Sequence, residues 1–304
     1  METNNELFDT LKSGGGFLEA ATGSDPVHYT LTDCYWAGHT SVCEAVLAKS
    51  PLHGDVLFLD KEIQSASADE ALYHEHLVHP VLNAMGNREA KRVLIVGGAE
   101  GATAREVLKW PASAVAHVDW VDIDGGLVGL CRRYLSWADD AVYNDPRLHF
   151  HACDIRLFWA SNTGAYDIII LDLPDPDVVT AAETSDEEYP LYGLRFWEVL
   201  ASRLSVGGAV ATHCGAVAPG ADSEKRRAGL LWVSRCAERV GLGGGAPYHV
   251  FIPSFHSEWG FWMSLAPVPF VAAPSLPLLV LNEEVQAAAF TWAPYWTSPF
   301  VGQV

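Results

Sequence analysis

Residues 92–110 read "RVLIVGGAEGATAREVLKW", and the reading of this stretch decides the fold. The apolar run from Val93 to Val96 predicts a buried strand, Gly97, Gly98, Ala99, Glu100 and Gly101 a tight turn, and "TAREVLKW" a helix. A strand that passes through a glycine turn into a helix opens many nucleotide-binding sheets, because small residues let a ligand press against the backbone. Dinucleotide, flavin and S-adenosylmethionine folds share that turn, so Glu100 carries the discrimination. A carboxylate inside the turn repels a pyrophosphate and attracts a cation.

The next strand ends in "VDWVDID", which puts Asp122 about 25 residues past the first glycine, where an acid can accept hydrogen bonds from both ribose hydroxyls. The third ends in "HFHACD", placing Asp154 to meet an adenine amino group. The fourth, "YDIIILDL", runs into "PDPD" and so carries Asp172, Asp175 and Asp177. Acids at strand ends also cap helices. Three successive strand ends bearing acids beside a glycine turn point instead to one ligand cleft.

Upstream, residues 1–62 hold short mixed runs, "HYTLTDCYW", "SVCEAVLA" and "DVLFLD", broken by Gly and Pro, and predict a small N-terminal β domain. From Asp69 the period changes to a helix, with Leu72, Leu77, Val78, Val81 and Leu82 on one face and Gly86 closing it. Strands and helices then alternate as far as "YHVFIPSF" and "GFWMSLAP". The expected class is α/β, a Rossmann-like parallel sheet of the S-adenosylmethionine type. The expected division is residues 1–62, a catalytic domain over 63–270, and a Pro-rich tail over 271–304, with Trp292 and Trp296, packed on it.

Composition narrows the partners. With 304 residues and 49% hydrophobic content the chain can bury a full core. A formal charge of −19 argues against nucleic acid, which is bound by clustered Lys and Arg. No apolar run approaches the ~18 residues of a membrane helix and no cleavable signal is apparent, so the expected location is cytoplasmic. The six cysteines show no CxxC spacing and are expected to be reduced thiols. In "YHEHLVH", His74 and His79 miss the HExxH interval by one residue, so no metal is expected; His74 reads as a pocket wall and His79 as a packing or hydrogen-bonding residue.

Taken together, "LFLDKEIQSASADEALYHEHLVHP", "VLIVGGAEGATAREVLKW", "DPRLHFHACD", "DLPDPD", "LYGLRFWEVL" and "IPSFHSEWGF" resemble, in order, the polyamine aminopropyltransferases, the spermidine and thermospermine synthases. The Glu in the turn, "REVL" and "CRRYL" lean toward the thermospermine-synthase-like branch. The resemblance implies that the aminopropyl group of decarboxylated S-adenosylmethionine passes to a polyamine, putrescine, spermidine or similar, with methylthioadenosine released. It also implies a homodimer or homotetramer. Carried over position by position, Asp122 is the ribose ligand, Asp154 the adenine contact, Gln64 a donor contact and Glu100 the ligand of the donor's amino end, with Gly97, Gly98 and Gly101 forming the turn. Tyr73 is the active-site tyrosine, Asp175 accepts the attacking amine, and Asp172 is the first Asp of its motif.

The chain departs from the pattern at three places. Cys43 and Glu44 stand where the family has Tyr-Gln; in Gln's place, Glu44 makes the pocket more negative and disfavours the carboxylate of intact S-adenosylmethionine. His213 stands where relatives often have Gln, and Phe255 where some have a substrate-contacting Tyr. His74, His213, Phe255 and Trp259 are therefore the candidate acceptor-binding residues, Trp259 offering an aromatic face to an ammonium. The acidic segment "VVTAAETSDEEYPLYG" is expected to form a lid. The competing readings are a methyltransferase or other transferase on the same fold, using intact S-adenosylmethionine, and a catalytically silent polyamine-binding homologue.

Overall fold

The computed structural model describes residues 2–3, 5–12, 16–19, 26–86, 91–182, 189–217, 227–243, 245–270 and 276–293. In chain order, the first part holds β1 (Glu2–Thr3), α1 (Asn5–Lys12), β2 (Gly16–Glu19), β3 (Val27–Thr30), β4 (Asp33–His39), β5 (Glu44–Ser50), β6 (Gly54–Leu59) and β7 (Glu62–Ala66). Helix α2 (Glu70–Met85) follows, then β8 (Lys91–Gly97), α3 (Ala102–Leu108), β9 (Val115–Asp122), α4 (Gly125–Tyr134) and α5 (Asp140–Tyr143). Next come β10 (Leu148–Ala152), α6 (Ile155–Ser161), β11 (Tyr166–Asp172), α7 (Val178–Ala181), α8 (Leu194–Ser202) and β12 (Leu204–Ala216). The last are α9 (Ala228–Arg239), β13 (Ala246–Ile252), β14 (Ser257–Met263) and α10 (Glu283–Ala289).

Two sheets carry the architecture. The first is antiparallel and five-stranded, in the order β1-β4-β5-β6-β7; the second has seven strands, in the order β10-β9-β8-β11-β12-β14-β13. Strands β10, β9, β8, β11 and β12 are mutually parallel, whereas β14 runs antiparallel to both its neighbours. The alternation of strands and helices predicts a parallel sheet, and the sheet is mostly parallel. The exception arises because only a 3-10 turn, Pro253–Phe255, separates β13 from β14, and a parallel return needs a crossover helix. The chain order reverses between β8 and β11, and in open α/β sheets ligands bind at that switch point, beyond the carboxyl ends of the strands.

Helix α2 packs on the large sheet. Gly86, at φ 64, closes it, and Pro80 sits within it. Leu77, Val78, Val81 and Leu82, each at most 1% exposed, share a core cluster with Leu47 and Leu57 of the small sheet and with Ile95 and Ile170 of the large one. Each such side chain contributes about 1.5–3 kcal/mol by burial. Its polar residues are buried as well. Glu75 is fully buried and accepts backbone hydrogen bonds from Leu279, Val280 and Leu281 at 2.7, 3.0 and 2.8 Å, which anchors the C-terminal segment to the helix. Asp69, just before α2, binds the backbone N–H and hydroxyl of Ser254 at 2.6 and 2.9 Å, so the turn that carries Phe255 is tied to the start of the same helix.

In the C-terminal region Trp292 donates to the Pro247 carbonyl at 3.2 Å, while Trp296 lies outside the described residues. The six cysteines are all unpaired thiols.

Candidate active site

At the switch point the ends of β8 and β11 meet in direct contact. The Gly98 N–H donates to the Asp172 carbonyl at 2.9 Å. A Cβ on Gly97, at φ +87, would stand 2.0 Å from that carbonyl oxygen, and one on Gly98, at φ +72, 2.6 Å from the Asp172 carboxylate. These two glycines therefore make room for β11, a role beyond the ligand clearance their spacing suggested. Gly101, at φ +82, turns the chain into α3 beneath the Tyr143 hydroxyl. Gly97→Ala is expected to destabilise the protein by about 3 kcal/mol or more, since both the left-handed backbone and the contact oppose it. An unchanged urea midpoint would contradict this.

Asp172 is thereby fixed as a hub. Its carboxylate accepts from the Tyr73 hydroxyl at 2.7 Å and from the Thr103 hydroxyl at 2.6 Å. Burial, reinforced by Asp172, raises the Tyr73 phenol well above its usual range, so Tyr73 stays protonated. Thr103, in the first turn of α3, was not anticipated as a site residue. The only signal for it was a hydroxyl just after the glycine turn.

His74 adjoins this hub. Its Nδ1 faces the Glu70 carbonyl at 2.7 Å and the Glu70 carboxylate at 2.9 Å, and its Nε2 faces Glu100 at 3.1 Å. Burial opposes the charge on His74, but the hydrogen bonds to Glu100 and Glu70 outweigh it and hold its pKa up to about 10. Despite its own burial, Glu70 is lowered to about 2 by His74 and Arg105. His74, Glu100 and Asp172 offer atoms within 4.8 Å of one another, a spacing that could admit a metal. An imidazolium has no lone pair to give, so the set suits an organic cation better. His79 uses both ring nitrogens, one toward Glu106 at 2.8 Å and one accepting from Trp110 at 3.0 Å. Burial lowers the pKa of His76 to about 4, so it packs as a neutral ring.

Asp122 ends β9, 8% exposed, and accepts the Asp124 N–H at 2.7 Å. Burial pushes its pKa up to about 7, with Glu100, Asp124 and Asp172 adding repulsion and the Asp124 N–H opposing. Asp124, which sequence reasoning passed over, caps α4 through one oxygen at 3.0 Å; its other oxygen is buried without a hydrogen-bonding partner. The cleft is thus crowded with carboxylates that a cation would relieve.

Asp154 is at the expected strand end but is less open than expected. Arg156 grips both of its oxygens, at 2.5 and 3.0 Å, and Asp154 also caps α6. A carboxylate has about four lone-pair positions, so an adenine amino group would share Asp154 with this arginine. The half-buried Gln64 amide points back to the Glu62 carbonyl at 3.4 Å. Glu44 departs further from expectation. Across the β4–β5 pair it lies 3.6 Å from His39. The adjacent Cys43 instead feels Asp124, Asp60 and Asp122, whose charges add to burial in raising its thiol. The negative potential of the cleft therefore comes from Glu100, Asp122, Asp124 and Asp172.

On the other side of Tyr73 an aromatic wall assembles. The His213 ring lies 5.7 Å from Tyr73 and stacks on Trp259 at 6.1 Å, while Phe255 lies 6.2 Å from Tyr73 and 4.6 Å from Trp259. Asp175 faces this wall, with one carboxylate oxygen 3.6 Å from His213 Nδ1. Surrounding protein raises its pKa and His213 lowers it. Because the side chain is 59% exposed, the upward push is weak until a ligand covers it. Part of the expected lid, residues 183–188, lies outside the described residues.

The structure aligns, with TM-score 0.75 over 95% of both chains at 21% identity, with a spermidine synthase crystallised with the transition-state analogue AdoDATO. It aligns with the Thermotoga maritima spermidine synthase at TM-score 0.72 and 19% identity, over 95% of this chain and 94% of that one. These likenesses and the sheet order define a Rossmann-like fold with a small N-terminal β unit. A model of the spermine/spermidine synthase domain matches residues 70–220, and polyamine aminopropyltransferase 2 of Pseudomonas aeruginosa is 35% identical over 259 residues, 84% of this chain and 70% of the relative. The chain belongs to the polyamine aminopropyltransferase family. It spans less of polyamine aminopropyltransferase 2 of Bacillus anthracis, matching 52% of that chain's length with 67% of its own at 37% identity.

Proposed function

We propose that the protein transfers the aminopropyl group of decarboxylated S-adenosylmethionine to a polyamine such as putrescine or spermidine, releasing methylthioadenosine. The observation that carries this reading is the convergence of Glu100, Asp122, Asp124 and Asp172 on one glycine-turn cleft, with His74 against Glu100. A pyrophosphate is repelled there, whereas a donor that bears both a sulfonium and an ammonium relieves the crowding.

In this reading Asp122 takes the ribose hydroxyls, Asp154 the adenine, and Glu100 the aminopropyl ammonium, with Gln64 beside the donor chain and Gly97, Gly98 and Gly101 providing close approach. Tyr73 and Asp172 hold the reacting centre, and Asp175 receives the attacking amine. An amine with pKa near 10 arrives protonated and must lose a proton before it attacks. His74 acts through Glu100. Phe255 and Trp259 line the acceptor channel, where an aromatic face attracts an ammonium. A thermospermine-type product, a cytoplasmic location and a homodimer or homotetramer belong to the same reading.

Incubation with the decarboxylated or the intact donor and a panel of polyamines tests it. Methylthioadenosine is expected only from the decarboxylated donor. S-adenosylhomocysteine from the intact one would make the protein a methyltransferase, and no turnover with either would leave a polyamine-binding homologue.

A further inference from the structure

His213 lies on β12 with its side chain 4% exposed. Its Nε2 meets the Leu173 carbonyl, which can only accept, so Nε2 carries the hydrogen. That leaves Nδ1 as the variable atom. Nδ1 is buried without a hydrogen-bonding partner and is aimed at the Asp175 carboxylate 3.6 Å away. A lone pair facing an anion is repulsive, and an orphaned buried acceptor costs about 1–3 kcal/mol. One proton placed between the two groups removes both penalties.

Groups from several elements face the pair. Tyr73 faces His213 from α2 with Asp172 behind it, and Tyr192 hydrogen-bonds at 3.3 Å to Thr212, the neighbour of His213 on β12. From β14 the ring is covered by Trp259, which does not titrate. Cys214 packs into a separate core cluster, and burial raises its thiol. No positive side chain stands among these neighbours.

We infer that His213 and Asp175 form one proton-accepting pair, in which Asp175 takes the proton from the acceptor's ammonium and His213 Nδ1 holds it while the new bond forms. This rests on the aminopropyl-transfer reading. The acceptor R–NH3+ gives one proton to Asp175 and thence to Nδ1. The freed nitrogen lone pair then bonds to the sulfur-bound CH2 of the aminopropyl group as that C–S bond breaks and its electron pair stays on sulfur. The sulfonium becomes a neutral thioether, the new nitrogen is a secondary ammonium with its two remaining protons, and the imidazolium releases its proton to water after turnover. The pair matches base to acid better than Asp175 alone. A carboxylate lies about 6 pKa units below a primary amine, and an imidazole about 4. His213 acts through Asp175 and so positions and stores the proton.

The test is the pH dependence of kcat in the wild type and in His213→Gln, whose amide can still donate to the Leu173 carbonyl but cannot accept a proton. The variant is expected to lose about 10- to 100-fold in kcat at pH 7 and to lack the wild type's loss of rate on the acid side of neutrality, with donor affinity unchanged. His213→Ala is expected to recover rate when imidazole is added, a response that a purely structural histidine does not give. Identical pH profiles for His213→Gln and wild type, with kcat within about twofold, would overturn the proposal. Loss of rate together with loss of donor affinity would overturn it too, by making His213 a packing residue. If the wild type makes no methylthioadenosine with any amine, the underlying function fails, and this pair with it.

Discussion

Asp175→Asn is expected to lower kcat by about 10²- to 10⁴-fold, the range for losing a positioned general base, while donor affinity stays within about twofold. The asparagine keeps the size and much of the hydrogen bonding of the carboxylate but cannot take a proton from the amine. Stability should barely change, because the side chain is 59% exposed. Single-turnover formation of methylthioadenosine, measured beside equilibrium binding of the donor, separates chemistry from binding. If both fall together, Asp175 holds the donor and the assignment is wrong.

Asp122→Asn is expected to have the opposite signature. Losing a charged acceptor for the ribose hydroxyls removes about 1.5–3 kcal/mol, so the donor Kd should rise about 10- to 100-fold with a smaller effect on the rate at saturating donor. The same change should stabilise the ligand-free protein at alkaline pH. The folded-state pKa of Asp122 is raised to about 7, so the stability linked to its neutral form is complete below about pH 4 and lost as pH rises through about 7. That loss is on the order of 4 kcal/mol in the wild type. Asparagine does not ionise, so the variant's Tm should exceed that of the wild type at pH 8 and converge with it at acid pH. Donor binding to the wild type near pH 7 should release a proton, because the cation favours the ionised carboxylate. A Tm difference independent of pH would refute the electrostatic account, and unaltered affinity would refute the ribose role.

Much of this architecture is legible in local pattern. The run into Gly97, the acids closing β9, β10 and β11, and the helix ended by Gly86 all follow from period and turn chemistry within a few residues. What is not legible depends on partners distant in sequence or on where a strand begins. Nothing around Gly97 shows that the space a Cβ would need is filled by the backbone of Asp172. Glu44 opens β5 and pairs across to His39, while Cys43, the last residue of the turn before it, feels the charges of Asp124, Asp60 and Asp122. Asp154 reads as an open carboxylate until Arg156, two residues on, folds back onto it. His213 reads as a substitution in a substrate pocket; its orphaned Nδ1 emerges only once Leu173 has claimed the other nitrogen. Antiparallel β14 escaped because a Pro-Ser-Phe turn resembles any other loop until its strands pair.

The three amides that Glu75 holds have a mechanical consequence. Detaching residues 279–281 would strip the buried Glu75 carboxylate of three backbone donors at the centre of α2, one position from His74 and two from Tyr73. The cost of leaving a buried carboxylate without those donors couples the far end of the chain to the reacting helix, so that the two open together rather than fray separately. In this protein the C-terminal segment serves as a brace, and the rigidity of the chemistry is set partly by residues about 200 positions away in sequence.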